Sequence, residues 1–324
     1  MFGHDYTAVK CFRRRHSPYG HDYDPASGQC HPEQFVHLTR WKCCGDAVWV
    51  QIAVCNELFG ALDFGRSCDL SAEAGFDGIE IAPFTVASRS GVPSSETARS
   101  IRRSLAESGL RFAGLHWLLA RPDGLNVTTA DASLRRRSWA HVEALLQFAG
   151  ELGGGNLILG SPKQRSFASG SRGEAVERFV EGIIAVSDVA VETGCRILIE
   201  ALPARVTNFV NTIAEARRVA ELAGHPAVGI MFDFHNVDDE SESAPALIRR
   251  HGAALGHVHL NTNDGGAPTP DDAPAFAPAF EALRETDYRG WVSLEIFTEP
   301  AQPSAVLAGV RDFLQAVEVP SATQ

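Results

Sequence analysis

The chain has 324 residues, of which 44% are hydrophobic and 21% are charged, a composition typical of a globular protein. This composition excludes a wholly disordered chain, a fibre and a disulfide-stapled miniprotein. The formal net charge of −11 disfavours a phosphate backbone as partner, so we expect no nucleic acid binding.

The cellular setting is predicted from what the sequence lacks. No run of about 18 apolar residues is present, so no transmembrane helix and no membrane partner are expected. The first 30 residues have no apolar central stretch, which disfavours a signal peptide. The seven cysteines are odd in number and unevenly spaced, unlike a disulfide framework. We therefore expect a cytoplasmic protein.

The first 47 residues differ in composition from the rest. They hold five of the twelve histidines and four of the seven cysteines, with no helical or alternating apolar period. A zinc module is one interpretation, but no pair of Cys-x₂-Cys knuckles is present. We favour a poorly structured N-terminal extension over residues 1–48, followed by a catalytic domain over 49–318 and a short tail over 319–324.

From residue 49 onward, short apolar runs alternate with amphipathic stretches. The near-continuous apolar runs predict strands that are covered on both faces, and the stretches 138–152, 174–192 and 214–223 predict helices. The predicted strands are 50–55, 78–82, 111–116, 156–160, 196–200, 228–232, 256–260 and 291–296. Eight such units predict an α/β protein that is a single (β/α)₈ TIM barrel. An open doubly wound sheet is disfavoured because no glycine fingerprint follows the first strand.

Glycine and proline mark the predicted joints. Gly75, Gly194 and Gly224 follow helical patterns at the place where a left-handed C-cap is needed. The proline-containing segment 261–275 follows the seventh strand and is predicted to be an active-site flap, because barrel chemistry lies on such loops.

Polar residues at the carboxyl ends of the predicted strands are the first candidates for chemistry. They are Glu80, His116, Glu200, Asp233, His257, His259 and Glu295. Each taken singly has a structural alternative, as a capping, salt-bridged or core residue. An acidic residue directly after a buried apolar run nevertheless needs a partner, and a metal ion is one that fits.

Four of these candidates stand on successive strands, the fifth to the eighth. Adjacent parallel strands lie roughly 4.8 Å apart, so these side chains can converge on one point. Three carboxylates and one imidazole form a hard, oxygen-rich ligand set, which favours one divalent metal ion: Mn²⁺ first, with Co²⁺, Mg²⁺ or Zn²⁺ as alternatives. The predicted ligands are Glu200, Asp233, His259 and Glu295.

From residue 50 to about 314 the sequence resembles the xylose isomerase-like TIM barrels. That group includes ketose 3-epimerases, hydroxypyruvate isomerase, inosose-processing enzymes and, more distantly, endonuclease IV. The segments that carry the resemblance are 53–59, 74–84, 114–117, 159–165, 198–202, 207–212, 232–233, 257–259 and 288–295. The resemblance implies the same four metal ligands on the fifth to eighth strands, and a substrate-facing histidine at His116.

The sequence departs from the ketose 3-epimerases at two places. Where they follow the fifth-strand glutamate with Asn-Arg-x-Glu, this chain has Pro203-Ala204-Arg205-Val206. Where a histidine is common three residues after the sixth-strand aspartate, this chain has Asn236. We therefore expect the polar contacts to the sugar to be missing or rebuilt, while the metal site is kept.

The substrate is expected to be a small sugar or polyol. Lys163, Gln164 and Arg165 on the loop after the fourth strand could hold a hydroxyl or a phosphate, with a solvated loop as the alternative. The full set of expected substrate contacts is Glu57, His116, Lys163, Gln164, Arg165, Asn236 and His257.

These residues together predict a metal-dependent sugar isomerase or epimerase. The metal would polarise a substrate carbonyl, and Glu200 and Glu295 would move the neighbouring proton through an enediolate. A sugar or inosose dehydratase on the same site and a non-catalytic sugar-binding barrel are the alternatives. An endonuclease IV-like phosphodiesterase is disfavoured by the acidic chain, and a homo-oligomer is compatible with the sequence.

Overall fold

The barrel is the central feature of the structure, a computed structural model that describes residues 50–87, 91–168 and 170–318. Eight parallel strands form one closed barrel in chain order, and the first strand pairs with the eighth. The strands are β1 (Gln51–Cys55), β2 (Gly78–Ile81), β3 (Arg111–Leu115), β4 (Asn156–Leu159), β5 (Arg196–Ile199), β6 (Val228–Asp233), β7 (Leu255–Leu260) and β8 (Trp291–Leu294). The predicted (β/α)₈ barrel is confirmed. The predictions for residues 1–48 and 319–324 lie outside the described residues.

Ten helices lie in the segments that connect or follow the strands of the described chain. They are α1 (Phe64–Glu73), α2 (Pro83–Val86), α3 (Ser95–Ser108), α4 (Ala132–Glu151), α5 (Pro162–Arg165), α6 (Arg172–Glu192), α7 (Ile213–Ala223), α8 (Ala244–His251), α9 (Ala273–Glu285) and α10 (Pro303–Glu318). Helices α2 and α5 are single turns that directly follow strand ends. No helix in the described ranges is long and apolar enough to cross a membrane.

The helix ends follow from local sequence. The side chain of Asp131 accepts hydrogen bonds from the backbone of Ser133 and Leu134, so α4 starts earlier than predicted. Ser171 and Glu174 form a reciprocal capping box at the start of α6. Gly75, Gly194 and Gly224 have the expected left-handed backbone, with φ of 83°, 69° and 60°.

The predicted flap over residues 261–275 is shorter than expected. Its last part folds, because a 3₁₀ helix covers Pro270–Asp272 and α9 begins at Ala273. Thr269 caps this turn, and its hydroxyl and backbone N–H both donate to the carboxylate of Asp272 at 2.8 Å. Irregular backbone therefore extends only over residues 261–269.

A cluster of aromatic rings joins the helical layer to the loop that follows β5. The ring of Phe179 on α6 lies 5.5 Å from Trp139 on α4 and 5.2 Å from Phe209 in that loop. Phe179 and Phe209 are both fully buried. Since the loop begins at the end of β5, this packing fixes one wall of the barrel mouth.

We predict that Phe179→Ala lowers the free energy of unfolding by about 3–5 kcal/mol, because it leaves a cavity in a closely packed core. The matched control is Leu222→Ala on α7, where the side chain is 55% exposed and the expected change is within about 0.5 kcal/mol. Urea denaturation followed by circular dichroism measures both changes. Equal losses in the two variants would contradict the packing assignment.

Candidate metal centre and active site

Four side chains meet at the carboxyl ends of strands β5 to β8. Each offers one ligand atom, and these atoms lie within 4.8 Å of one another. All four are buried, with between 1% and 7% of the residue surface exposed. They are Glu200, Asp233, His259 and Glu295. The structure therefore brings together all the residues that were predicted to bind a metal ion.

The cluster carries an excess of negative charge in a buried place. Burial, followed by Asp233 and Glu295, raises the pKa of Glu200 well above its usual value. Burial and Glu295 likewise raise the pKa of Asp233. Burial also opposes the charge of Glu295, but His259 and His116 together hold its pKa below the usual value. One imidazole is too little to offset three carboxylates, so the donor set fits a divalent cation.

The orientation of His259 also fits a metal ion. Its Nε2 lies 3.1 Å from Oε1 of Glu80, on the side away from the cluster. Its Nδ1 lies 3.0 Å from Oε2 of Glu295 but finds no hydrogen bond of good geometry among the described residues. A proton held at Nε2 by Glu80 leaves the lone pair of Nδ1 directed at the cluster.

Glu80 is the centre of a second layer beneath the cluster. It is completely buried, and its carboxylate lies 2.8 Å from Nε2 of His257 and 3.4 Å from Nδ1 of His116. Burial opposes its charge, but His257, His259 and His116 hold its pKa well below the usual value. From the sequence, Glu80 was expected only as a strand-end residue without an assigned role. The signal was an acidic residue inside the apolar run of β2.

His116 and Glu57 form a close pair beside the cluster. Nε2 of His116 lies 2.5 Å from Oε2 of Glu57, which stands on the 3₁₀ helix Asn56–Phe59 after β1. Nε2 is also 4.0 Å from Oε1 of Glu295. His116 lines the cavity above the cluster, where it was expected to contact substrate. Glu57 supports it from behind.

Asn236 bridges two of the carboxylates. Its Nδ2 donates to Oε1 of Glu200 at 3.0 Å and to Oδ2 of Asp233 at 2.6 Å. It lines the same cavity, as was expected for a substrate contact. Because an amide carries no charge, this departure from the family's histidine adds a donor without adding a cation.

Five of the expected substrate contacts do not line this cavity, and one of them is Glu57, which stands behind His116. Lys163 and Gln164 lie on α5, whose helical turn directs them elsewhere, and His257 is fully buried between Glu80 and Asn156. Arg165 does not line the cavity either, because its guanidinium points into the core. The directions of residues 163–165 depend on the turn after β4, and the position of His257 depends on its depth within the barrel.

Arg165 supports the backbone under Glu200. Its side chain is fully buried, and Nη1 donates to the carbonyl oxygens of Leu159 at 3.2 Å and Glu200 at 2.5 Å. Nη2 donates to the carbonyl oxygen of Val210 at 3.4 Å. Arg165 therefore ties the ends of β4 and β5 to the following loop.

The walls of the cavity contain residues that sequence reasoning missed. Trp117 and Ser161 line it with left-handed backbones, at φ of 51° and 45°. Such conformations are strained in residues other than glycine and concentrate at functional sites. The other missed lining residues are Pro162, Leu202, Arg205, Val206, His235 and Phe297. Pro162 begins the short helix α5, and the others lie on irregular loops after strands, where no apolar period marks them.

The segment 203–206, where the sequence departs from the ketose 3-epimerases, contributes Arg205 and Val206 to the lining of the cavity. Nε of Arg205 donates to Oδ2 of Asp238 at 2.7 Å, and its Nη2 lies 3.2 Å from Nε2 of His235. The backbone of Ala204 donates to Asp239 at 2.5 Å. These contacts join the loop after β5 to the loop after β6 at the edge of the cavity.

The sequence matches the xylose isomerase-like TIM barrel family over residues 68–317. The chain belongs to that family, as its resemblance implied. It is 29% identical over 241 residues to a D-psicose 3-epimerase of Agrobacterium fabrum. The match covers 73% of this chain and 80% of that protein. It is 28% identical over 179 residues to a probable ketose 3-epimerase of Synechocystis sp., covering 54% of this chain and 62% of that protein.

Further similarities extend the range of related enzymes. This chain is 31% identical over 113 residues to a 3-dehydro-D-guloside 4-epimerase of Escherichia coli. The match covers 34% of this chain and 42% of that protein. A crystal structure of a D-psicose 3-epimerase with D-fructose superposes with a TM-score of 0.71 at 22% identity, covering 82% of this chain and 97% of the other. The superposition supports the fold, and the epimerases that are similar in sequence support the expected enzyme class, an isomerase or epimerase.

We predict that Glu80→Gln weakens the binding of Mn²⁺ by about 10–100-fold, because it removes the charge that orients His259. Isothermal titration calorimetry on protein stripped with EDTA measures the dissociation constant. Glu240→Gln is the matched control, since Glu240 is a half-buried carboxylate that accepts from the backbone of Ile213. Unchanged Mn²⁺ affinity in Glu80→Gln would show that Glu80 does not support the site.

We also predict a pH-dependent contribution of His116 to the stability of the metal-free protein. Burial lowers the pKa of His116, but Glu57 and Glu80 outweigh burial and raise it from 6.5 to about 9. A raised pKa stabilises the folded state below pH 6.5, and this contribution is lost as the pH rises through about 9. The full contribution to the free energy of unfolding is roughly 3 kcal/mol, because a difference of one pKa unit corresponds to about 1.36 kcal/mol.

The measurement is the free energy of unfolding of the wild type minus that of His116→Gln, in EDTA, at pH 6.5, 8 and 9.5. We expect the difference to shrink steadily over this range. A difference that is the same at all three pH values would contradict the assignment.

Proposed function

We propose that this protein is a divalent-metal-dependent sugar epimerase that inverts a carbon next to a ketone. The observation that carries the proposal is the convergence of Glu200, Asp233, His259 and Glu295 beneath an open cavity. The relatives support it, because they are epimerases of ketoses and of a dehydrogenated sugar glycoside. The epimerisation of ketoses and of keto-glycosides shares one requirement, a proton that is acidified by a neighbouring carbonyl.

The metal ion would be held by the three carboxylates and by Nδ1 of His259. Such an ion supplies Lewis acidity, which polarises a carbonyl and makes the adjacent C–H more acidic. The oxygen-rich donor set favours Mn²⁺, with Co²⁺, Mg²⁺ and Zn²⁺ as alternatives.

Glu200 and Glu295 are the residues we propose to move the proton. They stand at the ends of β5 and β8, on either side of Asp233 and His259 in the order of the barrel. One carboxylate takes the proton from carbon as the C–H electron pair moves toward the carbonyl oxygen. The other returns a proton to the opposite face as that electron pair moves back, which inverts the carbon.

The remaining polar lining residues are suited to orient the sugar. His116 presents its ring to the cavity with Glu57 and Glu80 behind it, so the imidazole is held in one orientation. Asn236 offers an amide between two carboxylates. Both can hydrogen-bond hydroxyl groups on the carbons that flank the carbonyl.

We further propose that the substrate is not phosphorylated. Among the described residues that line the cavity there is one arginine, Arg205, and its charge is paired with Asp238. Lys163 and Arg165, the candidates for phosphate binding, do not line it. A phosphate would therefore meet the carboxylates at the floor of the cavity without a free cation to bind it.

We predict that Glu295→Gln and Glu200→Gln each lower the rate of proton exchange between ketose and solvent by about 10²–10⁴-fold. The exchange is followed by NMR in D₂O with Mn²⁺ present, and the same spectra distinguish an epimer from a dehydrated product. EDTA should abolish the exchange and added Mn²⁺ should restore it. Glu240→Gln, which changes a carboxylate that contacts the backbone of Ile213, should keep the wild-type rate. Exchange that survives EDTA or Glu295→Gln would contradict the proposed function.

A further inference from the structure

A second group of metal-binding side chains lies beside the first and shares no residue with it. It consists of Cys55, Glu57 and His116, which we call the thiol cluster. Each residue offers one ligand atom, a sulfur, a carboxylate oxygen or a ring nitrogen, and these atoms lie within 4.8 Å of one another. Nε2 of His116 is 4.0 Å from Oε1 of Glu295, so the two groups are neighbours.

The end of β1 and the turn after it place two members of the thiol cluster. Cys55 is the last residue of β1, and Glu57 follows two residues later in a 3₁₀ turn. Between them, the side-chain oxygen of Asn56 accepts from the N–H of Ala82 at 2.8 Å, and its amide donates to Oγ1 of Thr85 at 2.7 Å. The turn is therefore fixed by contacts outside the thiol cluster, and its ligand atoms are held in place before any ion binds.

The spacing of the ligand atoms suits a zinc ion. A Zn–S bond is about 2.3 Å and Zn–N and Zn–O bonds are roughly 2.0–2.2 Å, so the ligand atoms around one tetrahedral ion lie about 3.3–3.8 Å apart. Nε2 of His116 and Oε2 of Glu57 are 2.5 Å apart, and no pair of the three ligand atoms exceeds 4.8 Å. Small side-chain rotations would bring all three to the required spacing.

The kind of ligand also distinguishes the two groups. The first cluster offers three carboxylates and one imidazole, which favours a hard ion such as Mn²⁺. The thiol cluster replaces two of those oxygen ligands with a sulfur from Cys55 and leaves one carboxylate, from Glu57. Sulfur is a soft ligand that favours Zn²⁺ over Mn²⁺ and Mg²⁺.

The charge around the sulfur favours a cation at this place. Cys55 is only 2% exposed, and its Sγ donates to Oε2 of Glu80 at 3.7 Å and lies 3.5 Å from Oγ of Ser293. Burial, followed by Glu80 and Glu295, raises the pKa of this thiol well above its usual value. A thiolate therefore forms here when a metal ion takes the place of the proton, and metal binding releases that proton.

We propose that Cys55, Glu57 and His116 bind a second metal ion, of the kind that thiolates prefer, with Zn²⁺ as the first choice and a fourth ligand position open. An ion can enter from two sides, because His116 lines the cavity and the side chain of Glu57 is 23% exposed. This site is separate from the proposed Mn²⁺ site and does not rest on the proposed function.

The first test counts the zinc ions bound by full-length protein that has been stripped with EDTA, using isothermal titration calorimetry and elemental analysis. Cys55→Ser and Glu57→Gln should each bind one zinc ion fewer than the wild type, or bind it more than about 100-fold more weakly. The loss should exceed the 10–100-fold typical when a partner behind a ligand is removed. The four cysteines within residues 1–47 are present in every variant, so zinc bound by them cancels in the comparison.

The second test uses Co²⁺, which gives a charge-transfer absorption band in the near ultraviolet when a thiolate binds it. Cys55→Ser should reduce this band. Cys195→Ser is the matched control and should keep it, because Cys195 is a buried thiol at the other end of the barrel whose Sγ donates to the carbonyl oxygen of Thr193. Asp233→Asn, which alters the first cluster, should weaken Mn²⁺ binding and keep the band.

Equal zinc counts in the wild type, Cys55→Ser and Glu57→Gln would overturn the proposal. A cobalt band that Cys55→Ser leaves unchanged, or that Cys195→Ser reduces equally, would overturn it as well. Circular dichroism checks that each variant is folded, and the half-exposed position of Glu57 keeps the zinc count decisive if Cys55→Ser does not fold. If the counts and the band behave as expected but ketose does not exchange protons, the proposed function fails and the second metal site stands.

Discussion

Repulsion among carboxylates at one end of the barrel is the constraint on which the rest of this structure depends. Parallel strands all end on the same rim, so acidic residues at successive strand ends must lie close together. Three of them share a buried site with one imidazole, and burial drives the pKa of Glu200 and Asp233 upward. A fold that retains such a cluster needs a cation to offset it, and a divalent metal ion supplies that charge.

The residues around the cluster reduce its freedom to move. Glu80 fixes His259 from below, and Arg165 holds the carbonyl oxygen that belongs to Glu200. Asn236 joins two carboxylates from the side. Together these contacts keep the ligand atoms close although the carboxylates repel one another. A bound ion therefore requires little rearrangement of the site. In the walls of the cavity, the backbones of Trp117 and Ser161 are likewise held in strained left-handed conformations.

The sequence predicts the barrel and the floor of its site, because both follow from periodic patterns. Each candidate ligand comes at the end of a buried run, and chain order alone places the ends of β5 to β8 side by side. Depth is harder to predict: His257 and His259 share one face of β7, yet His257 lies deeper and contacts Glu80 rather than the cavity. The inward turn of Arg165 and the position of Phe297 depend on irregular loops that carry no period, so sequence reasoning could not find them.

The most direct test of this account measures the stability of wild type and Asp233→Asn by thermal unfolding, each with EDTA and with Mn²⁺. Without metal, the substitution relieves repulsion, so Asp233→Asn should melt at a higher temperature than the wild type. At a Mn²⁺ concentration of about 100 times its dissociation constant, the wild type should gain roughly 2.7 kcal/mol, and Asp233→Asn should gain little at the same concentration. A wild type that Mn²⁺ does not stabilise, or an Asp233→Asn protein that is less stable without metal, would contradict the proposed metal site and the repulsion among its carboxylates.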